Sequence, residues 1–139
     1  MYIDASAIVA ILLREPGYED LVRRIEAVTD QLFTSPLARY EASVSFARAR
    51  SGKHKKPSPE LLTDSTAAVS QLLGELSVRD IHISSSIGDA AIRAAAEYGK
   101  AVGHPADLNF GDCFAYACAK AYRVKLIYKG DDFAKTDMA

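Results

Sequence analysis

The chain has 139 residues, enough for one domain (1–139) that buries about two-thirds of its unfolded surface. Its 49% apolar and 25% charged residues are ordinary for a globular chain, and a net charge of −1 excludes a global basic field, so any nucleic acid must be held by a local patch. No apolar run approaches the roughly 20 residues that span a bilayer. No basic segment precedes the apolar residues 7–13, so a cytoplasmic protein away from the membrane is expected.

Residues 1–4 read as a short buried strand, followed directly by a helix with Ser6 near its start and Pro16-Gly17 at its end. Leu21, Val22, Ile25 and Val28 recur at helical spacing and predict a second helix over 18–29. Gln31 to Thr34 is a candidate strand. Ser35 can cap, and Pro36 can occupy the first turn of, a third helix that runs to about Arg50. Residues 51–58 form a loop, and a fourth helix covers about 59–74. Asp80 to Ile83 alternates like a strand. Ser86 to Tyr98 is an Ala-rich helix ended by Gly99, and Asn109 can cap a last helix to about Tyr122. Val124 to Tyr128 is the final strand. Alternating strands and helices predict a mainly parallel sheet covered by helices, with ligands beyond the carboxyl ends of the strands.

Four acids interrupt this apolar framework. Asp4 ends the first strand, where it can be an N-cap or a ligand. Glu41 falls within the arc of Leu37, Tyr40, Val44 and Ala47, which predicts a carboxylate against the core, with Arg39 or Arg48 as a partner. Asp112 lies in the first turn of the last helix, where negative charge is favourable, although Asn109 already supplies a cap. Asp131 and Asp132 follow the last strand. Adjacent side chains do not easily share a pocket, so Asp131, directly after Gly130, is expected at the site and Asp132 as a capping or loop-bracing group. Asp107 and Asp137 read as solvated loop acids.

Carboxylates at core-side positions are costly unless paired, hydrogen-bonded or bound to metal. A site of Asp4, Glu41, Asp112 and Asp131 therefore suits a hard cation, Mg²⁺ or Mn²⁺, able to activate water against a phosphodiester. His54, His82 and His104 have no zinc spacing, and no phosphate-binding Gly-rich loop is present. Cys113 and Cys118 lie five apart on one predicted helix, point to different faces, and read as small core residues. Arg48, Arg50, Lys53, Lys55 and Lys56 fall within nine residues with no acid among them. They form either a solvated loop or a phosphate-gripping rim for RNA beside the Glu41 helix.

The opening Met1-Tyr2-Ile3-Asp4-Ala5-Ser6 resembles that of PIN-domain proteins. Leu108-Asn109-Phe110-Gly111-Asp112-Cys113 and Leu126-Ile127-Tyr128-Lys129-Gly130-Asp131-Asp132-Phe133 resemble the third and fourth acidic motifs of VapC-type toxins. The resemblance spans nearly the whole chain, with no motif matched over about 50–80. It implies a three-layer α/β/α fold and a Mg²⁺- or Mn²⁺-dependent endoribonuclease that leaves a 3′-hydroxyl and a 5′-phosphate. It also implies a homodimer, held inactive by a small cognate antitoxin whose tail enters the active-site groove. The family's first three acids fall on Asp4, Glu41 and Asp112, and its small hydroxyl residue on Ser6. Its fourth acid falls on the position of Gly130, and Asp131 is expected in that role, unless the fourth ligand is weaker in this chain.

Two alternatives follow from the same residues. A haloacid-dehalogenase-like phosphohydrolase would use Asp4 as a nucleophile, but it needs an acid where Ser6 stands. A catalytically silent binding module would keep the fold without the chemistry.

Overall fold

A computed structural model describes all 139 residues. In chain order the elements are β1 (Tyr2–Ile3), α1 (Ala5–Leu13), α2 (Tyr18–Glu26), β2 (Phe33–Thr34), α3 (Pro36–Ser51), α4 (Pro59–Glu75), β3 (Arg79–Asp80), α5 (Ser85–Tyr98), a 3-10 turn over Lys100–Val102, α6 (Phe110–Ala121) and β4 (Leu126–Ile127). The four strands pair in parallel in the order β3-β2-β1-β4. The expected three-layer α/β/α arrangement of a mainly parallel sheet is what the chain adopts.

The topology places the site. From β1 through β2 to β3 the chain steps outward in one direction, and the connections carry α1 to α4. It then returns across the sheet to pair β4 with the other side of β1. Right-handed crossovers put the two sets of helices on opposite faces. The direction of stepping reverses between β1 and β4, and in such sheets the crevice beyond the strand ends at that reversal is the natural ligand site. Asp4 follows β1, and the Gly130–Phe133 turn follows β4, so both reach that crevice.

Local chemistry explains the element ends. Ser35, Ser58 and Ser84 cap α3, α4 and α5 by accepting from Ala38, Leu61 and Ile87, and prolines occupy the first turn of α3 and α4. The helix after β1 stops at Leu13, earlier than Pro16-Gly17 suggests. Arg14 takes a left-handed conformation (φ 51°), and its N–H reaches the Ala10 and Ile11 carbonyls. The strand expected over Asp80–Ile83 is Arg79–Asp80, with one further ladder bond from the Ile81 N–H to the Thr34 carbonyl at 2.8 Å. The alternation at 80–83 reflects Ile81, buried, and His82, exposed, where the chain leaves the sheet.

Tyr2, Ile3, Ile8, Leu73, Ile81, Leu108, Ile127 and Phe133 are among the largest fully buried side chains. Small residues of α6, including Ala115, Ala117, Cys118 and Ala119, let that helix lie close to the sheet. Both cysteines are buried and unpaired, and burial pushes the Cys118 thiol up to about 11. Tyr40, expected on the core face of α3, is instead 69% exposed. No helix is long and apolar enough to cross a membrane.

Candidate active site

At the crevice a pocket of about 190 Å³ is lined by Asp4, Ser6, Glu41, Ser45, Asn109, Asp112 and Asp132, among others. Larger depressions lie elsewhere, two of them much the larger. One of about 710 Å³ runs along Met1, Arg123 and Lys125, and an apolar one of about 870 Å³ separates α5 from α6. Neither gathers carboxylates, and chemistry rather than volume singles out the smaller pocket.

Asp4 is 4% exposed, lines the pocket and takes the N-cap role its sequence position suggests. As N-cap of α1, its Oδ2 accepts from the Ser6 N–H at 2.9 Å, and the same oxygen accepts from the Ser6 hydroxyl at 2.6 Å. Ser6 Oγ in turn accepts from the Lys129 N–H at 3.0 Å. One hydroxyl thus ties the end of β1 to the chain leaving β4 and fixes the Asp4 carboxylate. Burial raises the Asp4 carboxyl above its ordinary range, opposed by the Ser6 bonds and reinforced by the charge of Asp132.

Asp112 is 8% exposed in the first turn of α6. Its Oδ2 accepts from the Asn109 N–H at 2.9 Å while its N–H donates to Asn109 Oδ1 at 3.1 Å, a reciprocal capping box. Burial, and then the charges of Asp4, Asp132 and Asp107, push its carboxyl up to about 6 against the lowering effect of the Asn109 bond. Glu41 enters from α3, half-buried. Arg39, one of its expected partners, pairs instead with Asp80 at 2.6 Å. No ion pair reaches Glu41. Burial, followed by the charges of Asp4 and Asp112, pushes its carboxyl up to about 7.

The fourth acid at the pocket is Asp132; Asp131 does not line it. Gly130 turns the chain sharply after β4 in the left-handed region, φ 100°. Asp131 is then exposed, its carbonyl accepting the Ala134 N–H at 3.0 Å, and the next residue swings back toward Asp4 and Asp112. The basic residues Arg48, Arg50, Lys53, Lys55 and Lys56 are exposed and lie outside the pocket. Arg50 stacks over the Phe46 ring at 5.2 Å and donates to Ser65 Oγ at 3.3 Å. Asp137, read as solvated, accepts from the Tyr116 hydroxyl at 2.7 Å and pairs with Lys120. The pocket residues Asn109 and Ser45 carried no individual sequence signal for this site beyond a cap and a helical serine.

The donor set is all oxygen and strongly anionic, the chemistry that a hard divalent cation takes. The carboxyls share one pocket, although no three acidic, histidine or cysteine side chains of the chain stand close enough to form a coordination shell as they are. The raised carboxyls reflect first their burial and then the gathering of like charges without a counter-charge.

The model of the PIN domain matches residues 1–138. The chain belongs to the PIN-domain family. Among relatives, this PIN domain is 44% identical to a VapC ribonuclease of Rhizobium meliloti (strain 1021), over 99% of this chain and 98% of that protein. It is 35% identical to Ribonuclease VapC of Mycolicibacterium smegmatis, over 100% of this chain and 98% of that protein. It is 34% identical to Ribonuclease VapC30 of Mycobacterium tuberculosis, over 100% and 96%.

Proposed function

We propose that this PIN domain is a divalent-metal-dependent endoribonuclease, the toxin of a toxin–antitoxin pair. The observation that carries the reading is the single pocket in which Asp4, Glu41, Asp112 and Asp132 meet at the reversal of the sheet. The near full-length similarity to VapC ribonucleases supports RNA as the substrate and a small antitoxin as the partner. Those four residues would hold Mg²⁺ or Mn²⁺. When bound, the cation supplies an acidified water and offsets charge developing on the phosphodiester.

The chain's own groups divide the remaining work. Ser6 holds the Asp4 carboxylate in one orientation through its 2.6 Å bond, and Asn109 does the same for Asp112. Glu41 has no cationic partner, and burial with the neighbouring acids raises its carboxyl to about 7; a cation held in the pocket would favour its carboxylate form. Glu41, Ser45 and Arg48 recur at i, i+4 and i+7 and so share one stripe of α3. Seven residues at 1.5 Å each put Arg48 about 10 Å along the axis from Glu41, the reach of a neighbouring phosphate. Lys53, Lys55 and Lys56 continue that basic edge. An acidic pocket beside it also suits a basic antitoxin segment, whose Arg would supply the charge that the cation otherwise brings. The phosphohydrolase reading loses ground because Ser6, which occupies the position of its second acid, is committed to Asp4 and Lys129.

The test is incubation with total RNA in Mg²⁺ or Mn²⁺ and in EDTA, beside Asp112→Asn, with the fragment ends mapped. Discrete cation-dependent cuts that are absent from the variant are expected. Cleavage that persists in EDTA or in Asp112→Asn refutes the assignment.

A further inference from the structure

Gly111 stands out among the glycines of the helices. Its backbone is ordinary, unlike Gly17, Gly52, Gly103 and Gly130, which need positive φ. Gly111 is the second residue of α6, where helical backbone accepts a side chain without strain, so its conformation does not require glycine. The rest of α6 is rich in alanine and cysteine. At Gly74 and Gly88, the other glycines within helices, an added Cβ would meet open space. At Gly111 it would fall closer than 3.0 Å to the Glu41 carboxyl carbon and both of its oxygens, the three nearest atoms to that position. No backbone and no core side chain stands among them. The missing side chain is therefore the seat of one functional group: the Glu41 head lies directly against the buried backbone of Gly111, one residue before Asp112.

We propose that Gly111 is a positioning residue that sets where the Glu41 carboxylate sits in the pocket. This rests on the reading of Glu41 as a metal ligand only for its consequence, not for the seating itself. A glutamate reaching from α3 has several rotatable bonds, and the acids around it repel its charge. Contact with a bare Cα brings the head up to α6 beside Asp112. A methyl group there leaves the helices in place and pushes out only the flexible end of Glu41, toward Ser45 or solvent.

The experiment compares wild type, Gly111→Ala, Glu41→Asp and Gly111→Ala/Glu41→Asp. Each is followed by thermal unfolding, by the side-chain carboxyl ¹³C resonance at position 41 without metal, and by calorimetric Mn²⁺ affinity. Gly111→Ala is expected to fold with an unchanged or raised Tm, to shift the Glu41 carboxyl resonance, and to bind Mn²⁺ about 10- to 100-fold more weakly, the scale on which groups that orient ligands act. In the alanine background the shorter aspartate clears the added methyl. The double variant is therefore expected to suffer less from Gly111→Ala than the Glu41 protein does. An unmoved Glu41 resonance in Gly111→Ala overturns the seating role. So does equal loss from Gly111→Ala in both backgrounds. A shifted resonance with wild-type Mn²⁺ affinity upholds the seating and overturns instead the reading of Glu41 as a ligand. If Gly111→Ala alone misfolds, folding of the double variant identifies the Glu41 clash and upholds the seating, and misfolding of both overturns it.

Discussion

The gathered carboxyls make a specific prediction about pH. Glu41 rises from 4.5 to about 7 and Asp112 from 3.8 to about 6 in the folded chain, and Asp4 moves in the same direction. A carboxyl whose pKa is higher when folded binds more protons in the native state than in the unfolded state across the interval between the two values. Stability then falls as pH rises through that interval. The combined window runs from about pH 3.8, set by Asp112, to about pH 7, set by Glu41. Each pKa unit corresponds to about 1.36 kcal/mol. Glu41 is only half-buried, Asp112 opens onto the pocket, and the two share the same repulsions, so solvent screening reduces their joint effect to about 2 kcal/mol. With an unfolding entropy near 2.1 cal/mol/K per residue, about 0.3 kcal/mol/K for this chain, that is a Tm loss of about 7 °C. The assay is thermal unfolding by circular dichroism in EDTA from pH 4.5 to 8, on wild type and on Glu41→Gln. Tm is expected to fall with pH in wild type. Glu41→Gln should flatten the slope and be the more stable protein at pH 7.5. Saturating Mn²⁺ should restore most of the loss, because a cation favours the charged carboxylates. A wild-type Tm that rises steadily through the window, or an equal slope in Glu41→Gln, would refute the reasoning.

Three other outcomes follow from the geometry. Asp132→Asn should abolish or strongly reduce cation-dependent cleavage while Asp131→Asn retains it, since only Asp132 lines the pocket; equal effects in an end-labelled RNA assay would contradict the placement. Ser6→Ala removes a hydrogen bond to a buried carboxylate and strips the Lys129 N–H of its acceptor, at a cost of about 2–4 kcal/mol in chemical denaturation; a loss under about 0.5 kcal/mol would contradict the bridging role of that hydroxyl. Replacing Lys53, Lys55 and Lys56 by Gln should raise KM for RNA and flatten its salt dependence while leaving kcat near wild type, since each lost phosphate contact reduces the logarithmic salt slope by roughly 0.7 for a single strand; an unchanged salt slope would return that run to a merely solvated loop.

Much of this protein is written locally. The caps at Ser35, Ser58 and Asn109, the prolines at the starts of α3 and α4, and the apolar pairs Tyr2-Ile3 and Leu126-Ile127 specify elements through contacts a few residues apart, so they are legible along the chain. Asp4, Glu41 and Asp112 stand out for a related reason: an acid inside an apolar stretch is visible without knowing what it faces. The fourth acid is different. Asp131 and Asp132 have nearly the same sequence context, and only the left-handed turn at Gly130, together with the Ala134 N–H bonded to the Asp131 carbonyl, sends one outward and the other to the pocket. Tyr40 counted as core because helical spacing gives the width of an apolar stripe but not which edge of it the neighbouring helix covers. The partner of Arg39 is 41 residues away, beyond any local pattern. The alternation of strands and helices, and three of the four acids that line the pocket, are legible along the chain. Tertiary structure decided which strands adjoin, where the stepping direction reverses, which of two neighbouring aspartates enters the crevice, and that Gly111 lies beneath Glu41. Three of those outcomes depend on chain segments far apart in sequence meeting within a few ångströms, which no short-range spacing encodes; the choice of aspartate depends on the left-handed backbone at Gly130, a conformation that the two residues' like sequence context does not distinguish.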